Sequence, residues 1–476
     1  MQISKKYLIP FILIFSFLFS GSEVHHSVHL SATDFTIYWI IPFIGILLSI
    51  AIIPLIKPIF WHHHYGKVSA FWGLVFILFF AYFFSENAIF YILEVYLKEF
   101  LPFILLLLSL FVVSGGILIK GDLQGTPKMN FIIILIGTLL ASIMGTTGAS
   151  MLLIRPLIRA NEWRKNRTHL IVFFIFLVSN IGGSLSPIGD PPLFLGFLRG
   201  VDFIWPLKNL YSPMLLISSI LLVIFFILDT YYYKNEAPKK KYSSEYEPIS
   251  IEGKYNFILI GLIIIAVVVS ALPGLQESFF SYKHEVIMTN GIFIQLFMLL
   301  FITFLSMKIT PKKLRQRNHF TWEPIKEVSK LFATIFITMI PAIEMLKGVT
   351  YKIGPMKGLY SYIKSEDGTN IDGMYFMLTG IISSFLDNAP TYVVFFTTAL
   401  GDMNVEWLMY SGKTLMAISC GAVFMGANTY IGNAPNFMVK SIAEENKIKM
   451  PSFFGYMLWS FCILMPLFIL VNIIYF

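Results

Sequence analysis

Residues 179–192 read SNIGGSLSPIGDPP, a run in which Gly and Pro interrupt an otherwise apolar segment of the chain. A second run, residues 426–436, reads GANTYIGNAPN and shares with the first the pattern Ile-Gly-Asx-x-Pro. Gly weakens a helix because it is too flexible, and Pro breaks one because it lacks an amide hydrogen. We therefore predict a broken helix at each run, at about 170–198 and 412–440.

Most of the chain is as apolar as the flanks of these two runs. Of its 476 residues, 57% are hydrophobic and only 13% are charged, about half the charged fraction of a typical soluble domain. Apolar stretches of about 18 residues or more, long enough to cross a bilayer, recur along the sequence, as at 35–56 and 453–476. Membrane β-barrels show short alternating segments instead. We therefore predict an all-α integral membrane protein with about 10–12 transmembrane helices.

The distribution of basic residues predicts the topology. If the spans alternate from a cytoplasmic N-terminus, the inside segments hold 26 of the 35 Lys and Arg residues, which is the bias that sets orientation in membranes. This bias arises only if two segments, about 131–155 and 373–400, enter the membrane and leave on the same side. We expect a multi-pass protein of the bacterial inner membrane with its C-terminus outside. The net charge of +8 lies in these loops, so we expect no nucleic-acid partner.

The N-terminal residues 1–34 fit either a signal peptide or a first transmembrane segment. Lys5 and Lys6 precede an apolar run at 7–19, and a patch of small residues follows at 20–22. Either form places the next loop outside.

Polar residues occupy the middle of both re-entrant segments. The first reads GTTGAS at 145–150, and the second reads DNAPT at 387–391. Lipid cannot satisfy the backbone groups that such a turn exposes, so the turn must line protein or a water-filled cavity. We therefore expect both tips to contribute to a functional site.

The hairpins and broken helices form two halves of opposite orientation. Gly145 and Gly189 are 44 residues apart, and Asp387 and Gly432 are 45 residues apart. The charge bias puts the ends of the first hairpin inside and those of the second outside. Inverted repeats with broken helices near the midplane are typical of secondary transporters, in which freed carbonyls and half-helix ends bind ions. The predicted organisation is a first half, a basic cytoplasmic linker and a second half, at 35–230, 231–254 and 255–476.

Three carboxylates are predicted at membrane depth, where a charge costs about 2.5–3.5 kcal/mol on insertion scales. Asp190 lies in the first broken helix, Asp387 at the tip of the second hairpin, and Glu344 on an apolar helix. A carboxylate that binds sodium when ionised and a proton when neutral produces antiport by competition. We predict that Asp387 and Asp190 exchange protons for sodium; the alternative is that each caps a half-helix N-terminus. Glu344 is an accessory candidate, with pairing to a Lys or Arg as the alternative.

Neutral oxygens that suit a hard cation such as sodium surround these positions. The predicted sodium- or substrate-binding residues, with Ser150 as a further accessory candidate, are Asn180, Asn388, Asn428, Thr429, Asn433, Thr146 and Thr147. We expect no cofactor and no metal beyond the transported sodium.

The same motifs resemble those of a known family. The run NIGG from Asn180, the run PIGDPP from Pro187 and the run LDNAPT from Leu386 are similar to those of NhaD-type sodium/proton antiporters. These belong to the ion transporter superfamily, which also contains arsenite permeases and citrate or dicarboxylate carriers. The resemblance covers the chain from about residue 35 to the end.

The resemblance implies a scaffold domain and a transport domain, elevator-like motion and a homodimer. Dicarboxylate carriers of the superfamily carry Ser-Asn-Thr in both halves, whereas this chain has Ser-Asn-Ile at 179–181 and Ala-Asn-Thr at 427–429. The ion-site positions that the resemblance implies are Asn180, Asp190, Asp387, Asn388, Asn428 and Thr429.

The predicted function is a secondary transporter that exchanges sodium for protons. The alternative is a sodium-coupled symporter or permease for a small anion such as citrate or arsenite, which would need an intramembrane basic residue or converging half-helix N-termini. A channel is a further alternative, but two opposed hairpins favour coupled exchange. An enzyme is not expected, since neither an HExxH nor a GxSxG motif occurs. The expected partners are sodium, protons and the lipid bilayer.

Overall fold

The structure is a computed structural model of the chain. It describes residues 30–121, 123–236, 248–282, 285–318, 320–349, 351–401, 403–410 and 412–476. Most of the predicted N-terminal segment and part of the predicted linker therefore lie outside the described residues.

The described residues form an all-α integral membrane protein, which confirms the predicted fold class. The α-helices are α1 (Ile41–Ile56), α2 (Pro58–Phe84), α3 (Glu86–Glu94), α4 (Leu101–Ser114), α5 (Pro127–Met144), α6 (Thr146–Ala160), α7 (Thr168–Leu177), α8 (Pro191–Leu198), α9 (Trp205–Lys234), α10 (Tyr255–Ser270), α11 (Asn290–Ile309), α12 (Lys312–Arg317), α13 (Glu323–Thr338), α14 (Ile340–Lys347), α15 (Tyr360–Ile363), α16 (Asp372–Phe385), α17 (Asn388–Leu400), α18 (Val405–Tyr410), α19 (Thr414–Met425), α20 (Ala434–Glu445) and α21 (Phe453–Tyr475). A π-helix, Val95–Phe100, joins α3 to α4.

Eight stretches of this helical structure are long and apolar enough to cross a membrane, within the part of the chain that the structure describes. They comprise α1, α2, α3 with α4, α5, α7 with its 3-10 continuation, α9, α11 and α21. A ninth span arises if α13 and α14, which meet at a bend of 41°, are counted together. Two shorter apolar helices, α10 and α19, accompany them.

The first helical hairpin consists of α5 and α6, which pack against each other and meet at Gly145. The hydroxyl of Thr126 caps α5 by accepting the amide of Met129 at 3.2 Å. Gly145 has a φ of +80°, a conformation that L side chains rarely adopt. Glycine at the tip therefore allows the chain to reverse within a single residue.

The second hairpin consists of α16 and α17. These helices have 14 and 13 residues, which makes each about 20 Å long. The hydrocarbon core of a bilayer is about 30 Å thick. Neither helix is therefore long enough to cross it, as a re-entrant hairpin requires.

A helix broken at its centre follows each hairpin. In the first half, α7 gives way to a 3-10 turn at Ile181–Leu185, and α8 then begins at Pro191. In the second half, α19 continues into a 3-10 turn at Gly426–Asn428, and α20 follows. Pro191 and Pro192 stand in the first turn of α8, where an amide hydrogen would have no partner within the helix.

Matching hydrogen bonds relate the two halves. The hydroxyl of Ser142 in the first hairpin donates to the carbonyl of Gly182 in the first broken helix at 2.5 Å. The hydroxyl of Ser384 in the second hairpin donates to the carbonyl of Met425 at 3.1 Å. The two serines are 242 residues apart and the two acceptors 243. Each hairpin is thus bonded to the following broken helix at corresponding positions.

Helix packing divides the described helices into two groups. A scaffold group contains α1, α2, α3, α4, α10, α11 and α13, which pack with one another. A transport group contains the two hairpins and the two broken helices, which pack with α9 and α21. The groups meet where α4 contacts α6 and α8, and α14 links α13 of the scaffold group to α17 of the second hairpin.

Loops that are predicted to share one side of the membrane contact one another. On the predicted inside, strand β1 (Leu118–Lys120) pairs antiparallel with β2 (Ser250–Glu252), and Trp61 Nε1 donates to Glu327 at 2.9 Å. On the predicted outside, the hydroxyl of Tyr410 donates to Asp202 at 2.9 Å. The sequence does not predict β1, β2 or a second ribbon, β3 (Ser278–Tyr282) and β4 (Glu285–Thr289), because strands this short give no periodic signal.

Candidate functional site

Asp190 lies at the centre of the candidate site, directly before α8. Its carboxylate makes no capping bond to α8, so the alternative interpretation as a helix cap does not describe it. Its Oδ1 accepts hydrogen bonds from Thr146 Oγ1 at 2.9 Å and Asn433 Nδ2 at 3.1 Å, and its Oδ2 accepts one from Asn388 Nδ2. The residue is 1% exposed. One buried carboxylate therefore joins both hairpin tips and both broken helices.

Asparagine side chains connect the two broken helices beside Asp190. Asn180 Nδ2 donates to the Ile175 carbonyl at 2.8 Å and to Asn436 Oδ1 at 2.7 Å. Asn433 Nδ2 lies 3.1 Å from the Ser179 carbonyl and 3.3 Å from Asn180 Oδ1. The predicted residues Asn180 and Asn433 thus lie in one network across the interface between the halves.

The tip of the second hairpin presents Asp387 and Asn388. Asp387 is half-buried, and its Oδ1 accepts the amide of Ala389 at 3.1 Å, so it caps α17. Asn388 Oδ1 is buried, and no described residue donates a hydrogen bond to it. The tip therefore holds one anionic cap and one amide oxygen that is open to a ligand.

Asn428 and Thr429 lie at the second break but differ in what they can bind. Asn428 Nδ2 donates to Ser384 Oγ at 2.9 Å, while its buried Oδ1 has no donor among the described residues. Thr429 Oγ1 donates to the Ser384 carbonyl and accepts the amides of Ile431 and Gly432 at 3.2 Å and 3.1 Å. The Thr429 hydroxyl therefore stabilises the backbone of the break. The Asn428 oxygen remains available to bind a ligand.

The first hairpin supplies three of the predicted hydroxyls. Thr146 contacts Asp190 directly, as described above. Thr147 is half-buried and lines a cavity beside the hairpin tip. Ser150 Oγ and Ser179 Oγ lie 2.9 Å apart, so Ser150 links the hairpin to the first broken helix.

Glu344 lies on α14, which packs against α17. It is 8% exposed, and its Oε1 forms an ion pair with Lys347 Nζ at 2.8 Å. The structure thus contains the pairing that the sequence analysis left as an alternative for this residue.

A cavity between the scaffold and transport groups leads to Asp190. Its floor includes the tip of the first hairpin and residues 187–191. Its scaffold wall includes Pro324, Ile325 and Val328 at the start of α13, which lies on the predicted cytoplasmic side. The cavity therefore lies between Asp190 and a helix end that is predicted to be cytoplasmic.

Helix N-termini, but no basic side chain, reach this cavity. Thr146, Pro191 and Ala434, which begin α6, α8 and α20, all line it. None of the described lining residues is a Lys or an Arg. The positive charge that the described residues offer there is the partial charge of helix N-termini.

A second buried polar cluster lies away from Asp190. Arg164 NH1 pairs with Asp229 Oδ1 at 2.6 Å, and both side chains are fully buried. His169 Nε2 lies 2.8 Å from Asp229 Oδ1, and Asn130 Nδ2 donates to Asp229 Oδ2 at 2.9 Å. The cluster ties α5, α7 and α9 together.

Sequence analysis missed this cluster and also missed Asn436. Asn436 is fully buried, and its Nδ2 donates to the carbonyls of Gly426 and Thr429 at 2.8 Å and 2.9 Å. The sequence contained a signal for both sites. Asn436 and Asp229 are polar residues within apolar membrane segments, where burial of a polar side chain is energetically costly unless it has a hydrogen-bond or ion-pair partner.

The family follows from a comparison with known proteins. No curated protein matches the chain. The model of a family described as "Putative citrate transport" matches residues 32–476. This match covers both hairpins, both broken helices and the scaffold group. The chain therefore belongs to this family of membrane transporters.

Proposed function

We propose that the protein exchanges sodium for protons, with Asp190 as the group for which the two cations compete and Asp387 as a second exchanging carboxylate. The observation that carries the proposal is the environment of Asp190. Its carboxylate is buried and accepts hydrogen bonds from hydroxyl and amide groups alone, and the described residues place no Lys or Arg against it.

A buried carboxylate without a basic partner needs a cation. Moving an ionised carboxylate out of water is costly unless it is paired, so it must bind either a proton or a metal ion. Sodium is a hard cation that prefers oxygen ligands. The buried amide oxygens of Asn388 and Asn428, which accept no hydrogen bond from a described residue, are suitable additional ligands. Occupation by one cation then excludes the other, which couples the two fluxes.

The arrangement of the halves supports alternating access. The Asp190 carboxylate is bound by both hairpins and both breaks, so movement of the transport group against the scaffold carries the whole site. The cavity beside α13 provides access from one side. Inverted repeats make the opposite access geometrically equivalent.

Proteoliposomes with an acidic lumen test the proposal. Addition of external sodium should collapse the pH gradient in wild type, and Asp190→Asn should abolish this response. Asp387→Asn should reduce or abolish it. Glu444→Gln removes an exposed partner of Lys440 and should leave the response unchanged. No response to sodium or lithium between pH 6 and 9, with folded protein verified by size-exclusion chromatography, would sink the antiport proposal.

A second candidate function is sodium-coupled transport of a small carboxylate such as citrate. Two observations favour it: the description of the matching family, and the three helix N-termini that reach the cavity. Uptake of radiolabelled citrate driven by a sodium gradient would support this function. Sodium-driven citrate uptake in vesicles that show no sodium-dependent proton movement would favour this function over antiport.

A further inference from the structure

The cavity above Asp190 has apolar walls. On the scaffold side it is lined by Phe103, Leu106, Leu110 and Phe111 of α4 and by Val328 of α13. The transport group adds further apolar side chains, among them Phe194 and Met438. A hydrated sodium ion makes no use of such walls. They suit a ligand that has an apolar body.

The floor of the same cavity carries one formal charge, that of Asp190, beside the partial positive charges of three helix N-termini. Asp190 lines it, and neither Lys nor Arg is among the described lining residues. A ligand that matches both features has one positive charge and an apolar body. Removal of that body from water against these apolar side chains would favour binding.

The hydrogen bonds of Asp190 restrict the kind of cationic group. Its Oδ1 already accepts Thr146 and Asn433, and its Oδ2 accepts Asn388. A planar guanidinium needs both oxygens in a fork-like geometry, whereas an ammonium acts as a compact point charge. The site therefore favours a primary ammonium.

We propose that this cavity binds small arylalkyl ammonium ions, of which benzylammonium is the simplest, in competition with sodium at Asp190. The proposal rests on the proposed function only in using the same carboxylate. Binding itself requires no transport.

Direct binding to the purified protein tests the proposal. Benzylamine is titrated by isothermal calorimetry at pH 7, without sodium, beside benzyl alcohol as a neutral compound of the same shape. Benzylamine should bind, benzyl alcohol should bind at least tenfold more weakly, and sodium should raise the apparent Kd of benzylamine in proportion to its concentration. Asp190→Asn should weaken benzylamine binding at least tenfold.

A second variant keeps the test informative if Asp190→Asn fails to fold. Val328→Phe would fill part of the cavity from the scaffold wall, and Val328 makes no hydrogen bond to Asp190. This variant should weaken benzylamine binding at least tenfold, with folded protein verified by size-exclusion chromatography.

Three results would overturn the proposal: no binding of benzylamine, equal binding of benzyl alcohol, or undiminished binding to Asp190→Asn. Benzylamine binding that depends on Asp190 in a protein without sodium-dependent proton movement would leave this proposal standing and refute antiport. Antiport without benzylamine binding would do the reverse.

Discussion

The contribution of Thr146 to the site can be tested by removing a single hydrogen bond. Its hydroxyl donates to Asp190 at 2.9 Å from the tip of the first hairpin. A hydrogen bond to a charged group contributes about 1.5–3 kcal/mol. We expect Thr146→Val, which keeps the shape and removes the donor, to change the apparent sodium affinity by roughly 10- to 100-fold, measured as the sodium concentration for half-maximal proton movement.

Thr146→Ser is the matched control for that experiment. It keeps the hydroxyl and loses one methyl group, so the sodium affinity should stay within about threefold of wild type. If Thr146→Val and Thr146→Ser shift the affinity equally, the hydroxyl of Thr146 does not act on the ion at Asp190.

Residues of the candidate site could be predicted from sequence to different extents. Asp190 was identifiable because a carboxylate next to Gly and two prolines stands out in an apolar segment. Its partner Asn433 was identifiable from the repeated motif, and Asn388 from the polar run at the tip of the second hairpin. Asn428 and Thr429 are both polar residues at the second break, and the sequence does not distinguish them as ligands. Of the two, only Asn428 has a side-chain oxygen that no described residue hydrogen-bonds. That difference depends on which backbone groups the break leaves within reach, and no local pattern encodes it.

At the scale of elements, the turn at Gly145 sets the geometry of the first hairpin. Gly145 has a φ of +80°, and the nearest atom to an added Cβ would be the Ile188 carbonyl oxygen at 3.4 Å. Space is therefore sufficient, and the cost of a side chain is conformational: with ψ at 150°, Gly145 lies in a region essentially restricted to glycine, which costs other residues about 1–3 kcal/mol. We expect Gly145→Ala to lower the melting temperature in detergent and to reduce the exchange rate.

Gly261→Ala is the control for the hairpin substitution. Gly261 lies within α10, and no atom lies within 4 Å of its added Cβ. Alanine is a better helix former by about 0.5–1 kcal/mol, so this variant should be as stable as wild type or slightly more stable. Equal stability of Gly145→Ala and Gly261→Ala would show that the hairpin tip is not strained by a side chain.

The buried pair between Arg164 and Asp229 should stabilise the base of the first hairpin. Removal of one partner from a buried ion pair costs about 3–5 kcal/mol, because the other charge is left unpaired. We expect Asp229→Asn to lower the free energy of unfolding by that amount, measured by thermal unfolding in detergent. Glu444→Gln breaks an exposed pair and should cost about 1 kcal/mol or less.

A double variant distinguishes loss of pairing from loss of volume. If the unpaired charge is the cause, Arg164→Gln combined with Asp229→Asn should recover part of the stability that Asp229→Asn loses. Additive losses in the double variant would contradict this explanation.

Elements were predictable where they carry a long apolar pattern or a breaker. The hairpins and broken helices carry Gly and Pro at their centres, so their existence followed from the sequence. The bend of 41° between α13 and α14 did not follow from the sequence. Pro341 stands in the first turn of α14, where proline is common at the start of any helix, so it does not predict a bend of this size. The cluster around Asp229 joins residues up to 99 positions apart, and only the folded chain brings them together.

At the scale of the whole molecule, the predicted topology can be tested by labelling. Ser281 lies exposed in the β3–β4 ribbon, on the predicted outside, and Lys312 lies exposed at the start of α12, on the predicted inside. In a Cys462→Ser background, which leaves only the buried Cys420, Ser281→Cys should react with a membrane-impermeant maleimide in intact cells. Lys312→Cys should react only after permeabilisation. The reverse pattern would invert the topology and place the cavity beside α13 on the outer face.

The proposed inverted repeat also bears on the energetic balance of the whole transporter. At the hairpin tips, Gly145 corresponds to Asp387; at the breaks, Asp190 corresponds to Asn433. If the halves were identical, a two-fold rotation would relate the inward-facing and outward-facing states, which would then have equal free energy. Each half instead supplies its carboxylate from a different element. These four positions are one source of asymmetry at the site, so we expect the two states to differ in free energy before any ion gradient acts on the protein.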